Sequence, residues 1–145
     1  MARSPRTRTQ DDIDNPKPVY AVWEITLRCD HACAHCGSRA DKARPDELST
    51  DEMIDVADQL IQIGTREVTL IGGEAYLRSD VYKLVEHLSK GGVYVSMQSG
   101  GLGLTERRIG KLKDAGLRGI GISIDGPEAV HDVLRDRNGS WKVGM

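Results

Sequence analysis

The 145-residue sequence has a nearly balanced charge, with 20 Lys and Arg against 22 Asp and Glu. This balance gives no basic excess for binding nucleic acid, and no apolar run is long enough to cross a bilayer. The length allows one domain. The arginine-containing N-terminus lacks the apolar segment of a signal peptide, so we expect a cytoplasmic protein.

Residues 1–17 are predicted to be a mobile leader, because their prolines and mixed charges offer no apolar face to bury. Residues 18–145 carry regular hydrophobic patterns and form the predicted domain. Runs of β-branched and aromatic residues predict strands at residues 19–26, 67–71, 93–97 and 118–124.

Helical patterns separate the predicted strands. Ser49 and Glu52 form a capping-box pair at the start of the first helix. Ser79 or Asp80 is predicted to cap the second helix and Thr105 the third. A glycine follows each of the three helices, at the position where a glycine commonly ends a helix.

Strands and helices therefore alternate along the chain, which predicts an α/β fold with parallel strands and right-handed crossovers. Four unusual loops each follow a predicted strand and contain the cysteines, Gly-Gly-Glu, Gln-Ser-Gly-Gly and Asp-Gly. Parallel strands bring such loops together at the carboxyl edge of the sheet, where α/β proteins place their chemistry. We expect the functional site at this edge.

The three cysteines of the chain, Cys29, Cys33 and Cys36, follow the first strand with the spacing C-x3-C-x2-C. Three thiolates in one loop can hold a metal centre and leave one coordination position open, whereas structural zinc and iron sites normally have four protein ligands. A structural zinc site with His31 or His35 as the fourth ligand is the main alternative. A disulfide framework is disfavoured by the odd number of cysteines.

The cysteine loop resembles the signature of the radical S-adenosylmethionine (radical SAM) superfamily, C-x3-C-x-Φ-C. The resemblance implies a 4Fe-4S cluster on Cys29, Cys33 and Cys36, whose open iron binds the amino and carboxylate groups of S-adenosylmethionine. Reductive cleavage would release a 5′-deoxyadenosyl radical that abstracts hydrogen from the substrate. His35 stands at the Φ position, which lies beside the adenine in this family.

The loops after the second and third strands extend the resemblance. Gly72-Gly73-Glu74 resembles the GGE motif, whose edge hydrogen-bonds the amino group of S-adenosylmethionine in the family. Ser99 lies where many members have Thr-Asn-Gly and could offer a hydroxyl to the ligand. Gly100 replaces the asparagine of that motif, so no side-chain contact is expected at position 100.

The run Ser123-Ile124-Asp125-Gly126, followed by His131-Asp132 and Arg135, resembles the family pattern S-x-D-G…H-D-x-x-R. The resemblance implies contacts of Ser123 and Arg135 with the ribose and carboxylate of S-adenosylmethionine. Asp125 is predicted instead to cap the helix that begins after Pro127.

The implied fold is a partial (β/α) TIM-like barrel, which we expect to be truncated after about four βα units. The last run favours peptide- and cofactor-maturing members of the SPASM type. A peptide or small-molecule substrate and an electron donor such as flavodoxin or ferredoxin would then be partners. The alternatives are an iron–sulfur electron-transfer or scaffold protein that binds no S-adenosylmethionine, and a structural zinc-binding module.

Overall fold

The computed structural model of the protein describes residues 5–145. Its four strands form one parallel sheet in the order β1-β2-β3-β4, which confirms the predicted α/β class. The strands are β1 Tyr20–Glu24, β2 Glu67–Ile71, β3 Tyr94–Ser99 and β4 Gly119–Ile122. The helices are α1 Gln10–Asp14, α2 Thr50–Gln62, α3 Val81–Lys90, α4 Glu106–Asp114, α5 Glu128–Leu134 and α6 Ser140–Gly144. Among the described residues, no helix is both long and apolar enough to span a membrane.

The core lies between one face of the sheet and helices α2, α3 and α4. Val68 and Leu70 of β2 pair in register with Val95 and Met97 of β3, and all four side chains are fully buried. The helices add apolar side chains to the same cluster, including Met53, Ala57, Leu84, Leu88 and Leu112. Because side chains alternate across a strand, the opposite face of β2 and β3 carries the bonded hydroxyls of Thr69 and Ser96.

Two of the predicted helix caps are present as expected. Ser49 and Glu52 form the capping box of α2, and the Thr105 hydroxyl accepts from the Arg108 amide at the start of α4. Asp80 occupies the N-cap position of α3, but its side chain makes no capping bond. Its carboxylate instead pairs with Arg78 in an ion pair of 2.7 Å.

The described part of the predicted leader is attached to the sheet rather than separate from it. Its helix α1 carries Asp12, which is 3% exposed and pairs with Arg66 at 2.7 Å, just before β2. Arg66 also donates to the carbonyls of Pro5 and Thr7. The hydrophobic pattern of the sequence does not predict this attachment, because the attachment depends on ion pairs and backbone hydrogen bonds instead of apolar burial. Residues 1–4 of the predicted leader lie outside the described residues.

The helix predicted after Pro127 is present as α5, but Asp125 does not cap it, and that prediction was wrong. Pro127 itself occupies the N-cap position, and no side chain makes a capping bond there. The Asp125 carboxylate accepts from Arg135 at the other end of α5 instead. A full guanidinium charge is a stronger partner for a carboxylate than an amide at a helix start.

Candidate functional site

The four loops at the carboxyl ends of the strands surround one cavity of about 270 Å³. Backbone bonds hold these loops together: the Glu74 amide donates to the Arg28 carbonyl at 2.7 Å, and the Ser123 amide to the Ser99 carbonyl at 2.9 Å. Every residue singled out from the sequence as a ligand of metal or cofactor lines this cavity. They are Cys29, His31, Cys33, His35, Cys36, Gly72, Gly73, Glu74, Ser99, Ser123 and Arg135.

The three cysteines are half-buried and unpaired. Backbone amides already point at two of their sulfurs: the His31 amide donates to Cys29 Sγ and the Ala40 amide to Cys36 Sγ, both at 3.4 Å. Amide donors of this kind favour the thiolate form and are one of the factors that set the potential of an iron–sulfur centre. Burial raises the pKa of the Cys33 thiol, so metal binding at this position would release a proton.

The cysteine loop contains a group of metal-ligating atoms close enough to share one ion. A tetrahedral zinc ion with bonds of about 2.3 Å holds its thiolate sulfurs about 3.8 Å apart. Among the described residues, Cys29, Asp30 and His31 form such a group, with one ligand atom of each within 4.8 Å of the others. Cys33 and Cys36 are not in that group.

Gly72 and Gly73 allow the cysteine loop to lie directly on the end of β2. A β-carbon at Gly72 would stand 2.4 Å from the Thr26 carbonyl oxygen. A β-carbon at Gly73 would stand 2.4 Å from the Arg28 carbonyl oxygen and 2.7 Å from Cys29 Cβ. These separations are far below van der Waals contact, so both positions require glycine for packing. Sequence reasoning assigned them only to ligand approach and did not find this second reason.

Glu74 ties the second loop to the third from a buried position, with 2% of its surface exposed. Its carboxylate accepts from the Ser99 hydroxyl and from the Gly100 amide, both at 2.6 Å. Burial raises the pKa of Glu74. The Ser99 hydroxyl oxygen also accepts from the Gly101 amide at 2.8 Å. The Glu74 carboxylate and the Ser99 hydroxyl, which were both predicted to contact the ligand, therefore already have partners within the protein. A ligand would have to share these hydrogen-bonding groups.

Arg135 reaches the cavity from the end of α5, and its side chain is 9% exposed. Its guanidinium donates to the Asp125 carboxylate at 2.6 Å and to the Ser123 carbonyl at 3.2 Å. Arg135 lowers the pKa of Asp125. His35 Nε2 lies 3.4 Å from the same carboxylate, while 43% of the His35 side chain stays exposed. Asp125 is thus an anchor for two predicted ligand residues, a role that no sequence pattern indicated.

Sequence reasoning considered His31 only as a zinc ligand, yet it is the most buried polar side chain of the cysteine loop, with 1% exposed. Its Nδ1 lies 3.1 Å from Asp30, and this hydrogen bond raises the pKa of His31 to about 9. Asp30 also accepts from the Tyr76 hydroxyl at 2.7 Å. The packing of a loop side chain has no periodic signature, so no sequence signal indicates this arrangement.

Comparison with known proteins matches residues 23–143 to the family described as the Radical SAM superfamily. An AdoMet-dependent heme synthase of Nitratidesulfovibrio vulgaris is 33% identical over 95% of this chain and 38% of its own length. Mycofactocin maturase MftC of Mycolicibacterium smegmatis is 34% identical over 97% of this chain and 36% of its own. PqqA peptide cyclase of Rhizobium meliloti is 38% identical over 88% and 33%. The chain thus spans about a third of the length of these relatives.

Solved structures give the same fold. Streptococcus suis SuiB bound to S-adenosylmethionine superposes with a TM-score of 0.72 at 15% identity, over 83% of this chain and 28% of SuiB. A structure of anSMEcpe with bound AdoMet gives 0.69 at 18% identity, over 88% and 38%. These likenesses confirm the predicted partial barrel, of which this chain covers one part.

Proposed function

The chain belongs to the radical SAM superfamily, and we propose that Cys29, Cys33 and Cys36 hold a 4Fe-4S cluster that binds S-adenosylmethionine at its open iron. The single observation that carries this proposal is the meeting of the three cysteines with the loops of β2, β3 and β4 around one cavity. When bound, the cluster supplies the electron that cleaves S-adenosylmethionine to a 5′-deoxyadenosyl radical for hydrogen abstraction. The protein supplies the thiolates, the positions of the ligand groups and shelter from water.

The residues around the cysteines have separate roles in this proposal. Glu74 offers the carboxylate edge for a cationic amino group, and Arg135 offers a planar fork that suits a carboxylate. Ser123 and Ser99 present hydroxyls near the strand ends. His35, which is 43% exposed, is free to stack beside an adenine through its ring face. Gly72 and Gly73 keep the floor of the cavity without side chains.

For the whole protein we propose modification of a peptide or a step in cofactor biosynthesis. The support is the set of similar relatives, which includes a peptide cyclase, a mycofactocin maturase and a heme synthase. A structural neighbour, SuiB, is also described bound to a precursor peptide. The reductant would be a small electron carrier such as flavodoxin or ferredoxin, consistent with a centre that opens at the surface.

One observation favours a second candidate, a zinc-binding role. Cys29, Asp30 and His31 place three metal-ligating atoms within 4.8 Å of one another, which is close enough for one ion. However, Asp30 and His31 are already hydrogen-bonded to each other, so a zinc ion would have to compete with this bond. The third candidate, an electron-transfer or scaffold role, differs from the proposal only in having no affinity for S-adenosylmethionine.

Reconstitution under anaerobic conditions separates these functions. The purified chain is offered iron and sulfide, or zinc, and bound metal is counted after gel filtration. We expect about four iron and four sulfide per chain, a visible absorption band, and a spectral change when S-adenosylmethionine is added. The Cys33→Ala variant should lose the band. Tight binding of one zinc with no iron uptake, or a full cluster in Cys33→Ala, would overturn the proposal. A full cluster whose spectrum does not change when S-adenosylmethionine is added would overturn the proposal in favour of the electron-transfer or scaffold role.

A further inference from the structure

Asp30 and His31 form a fixed pair inside the cysteine loop. The His31 ring is 1% exposed, and its Nδ1 lies 3.1 Å from one oxygen of the Asp30 carboxylate. The other Asp30 oxygen accepts from the Tyr76 hydroxyl at 2.7 Å. Tyr76 is itself buried, and its hydroxyl oxygen accepts from the Gly103 amide at 2.9 Å. A chain of three bonds therefore determines the orientation of the imidazole.

The pair lies against the first cysteine. The Cys29 sulfur, an Asp30 oxygen and a ring nitrogen of His31 are all within 4.8 Å of one another. The backbone amide of His31 also donates to the Cys29 sulfur at 3.4 Å. A carboxylate that orients an imidazole beside a metal ligand is a frequent outer-sphere arrangement, and it adjusts both the position and the basicity of the ligand.

The remaining ring nitrogen supports a role beyond packing. His31 Nε2 is buried and has no hydrogen-bond partner among the described residues. Buried polar atoms are nearly always paired, so an unpaired one needs an explanation. A leucine or methionine would fill the same space without leaving a polar atom unpaired. The imidazole is therefore a costly choice for this position unless its polarity has a use in the site that it lines.

We propose that Asp30 and His31 are a positioning pair for Cys29, which sets the electron density on this sulfur and thereby the reduction potential of the centre that it ligates. This inference rests on the proposed cluster. Asp30 and His31 shift this reduction potential in opposite directions. The imidazole, hydrogen-bonded to the carboxylate, draws electron density from it, while the carboxylate holds the imidazole in place. Net charge and hydrogen bonding near the sulfurs are the protein's main means of setting such potentials.

The test is a redox titration of the anaerobically reconstituted chain, followed by optical and electron paramagnetic resonance spectra. His31→Leu removes a hydrogen-bond partner of the Asp30 carboxylate beside Cys29, so the midpoint potential should fall. Asp30→Asn removes a negative charge within 4.8 Å of the sulfur, so the potential should rise. Tyr76→Phe keeps the ring but removes the donor to Asp30, and it should give a smaller fall. His87→Gln is the matched control, because His87 pairs with Asp58 at 2.6 Å on the surface.

Each outcome decides the proposal. Opposite shifts in His31→Leu and Asp30→Asn, with His87→Gln unchanged, support it, because a purely structural role would lower iron content in both without shifting the potential in opposite directions. Unchanged potentials and spectra in iron-loaded variants overturn it. If His31→Leu does not fold, Asp30→Asn and Tyr76→Phe give the decision. Wild type that assembles no cluster overturns the proposed function itself, an outcome distinct from unchanged potentials in loaded variants.

Discussion

Gly100 lies directly against His31, and a β-carbon at position 100 would stand 2.7 Å from His31 Cε1. The same β-carbon would stand 3.0 Å from Arg135 Nη1 and 3.0 Å from Glu74 Oε1. Three polar side chains, from two loops and the end of α5, therefore converge on a position that has no side chain. The absence of a side chain at Gly100 is what allows the cysteine loop, the second loop and α5 to close around one cavity.

Gly100→Ala should destabilise the protein by about 1–3 kcal/mol, the usual cost of overpacking a closed space. The buried His31 ring cannot move aside, because Asp30 holds it. Urea denaturation measures the effect. Gly110→Ala is the matched control, since a β-carbon there meets nothing within 4 Å and alanine favours the α4 helix. Equal stabilities of Gly100→Ala and wild type would show that the loops are looser than the structure indicates.

Arg66→Ala should loosen the attachment of the N-terminal segment to the sheet. Arg66 donates to Asp12 and to the carbonyls of Pro5 and Thr7, so one substitution removes several attachments at once. Limited trypsin digestion should then remove the first residues severalfold faster than in wild type, while the core stays intact. Arg107→Ala, at an exposed position of α4, is the control. If wild type is cleaved as fast as Arg66→Ala, the mobile leader predicted from the sequence is the better description.

The elements of the fold were predictable because they follow hydrophobic patterns. The strand predicted at residues 67–71 has the same bounds in the structure. On α3, the apolar residues Val81, Leu84, Val85 and Leu88 recur at helical spacing, and all four are fully buried. The carboxyl-edge site was predictable for a related reason, since parallel strands place the loops that follow them at one edge. Apolar periodicity and strand direction are local properties that a sequence records.

The internal partners of the site residues were not predictable, because they depend on contacts between distant loops. Glu74 meets Ser99 only because β2 and β3 are neighbours in register. Arg135 meets Asp125 around the two ends of α5, although a helix-capping role for Asp125 was the simpler expectation. A polar side chain has several possible hydrogen-bond partners, and the hydrophobic pattern of the sequence does not indicate which of them it contacts.

Asp80 should make stability depend on pH between about 4 and 2. Its hydrogen bonds with Arg78 lower the pKa of Asp80 to about 2. Because the unfolded-state pKa lies near 3.8, the ion pair contributes fully above pH 4 and is lost as the pH falls through the folded-state value. The difference amounts to about 2 kcal/mol. Asp80→Asn should be less stable than wild type at pH 6, and the two should converge near pH 2.

Urea denaturation at a series of pH values measures this dependence. Asp55→Asn is the control, because Asp55 is exposed on α2. Its stability curve should run parallel to that of wild type across the whole range. If the free energy of unfolding of wild type stays parallel to that of Asp80→Asn down to pH 2, the ion pair with Arg78 does not contribute to stability.

Arg135→Ala and Glu74→Ala should weaken binding of S-adenosylmethionine more than assembly of the cluster. Each is expected to lose a charge-assisted contact of about 1.5–3 kcal/mol, which is roughly a ten- to hundredfold loss of affinity. Calorimetric titration of the iron-loaded chain measures the affinity, and iron content measures assembly. Arg107→Ala and Glu106→Ala, both at exposed positions of α4, are the matched controls and should bind as wild type.

Asp125→Asn separates a ligand contact of Arg135 from a structural one. Asp125 is the carboxylate that now accepts from the Arg135 guanidinium, and a ligand carboxylate would compete with it for the same fork. If Arg135 binds the ligand, Asp125→Asn removes the competitor, and affinity should be equal to or higher than that of wild type. If the Arg135–Asp125 pair only fixes α5 against the loop after β4, Asp125→Asn should weaken binding as Arg135→Ala does.

Equal affinities for wild type, Arg135→Ala and Glu74→Ala would exclude both Arg135 and Glu74 from the binding site.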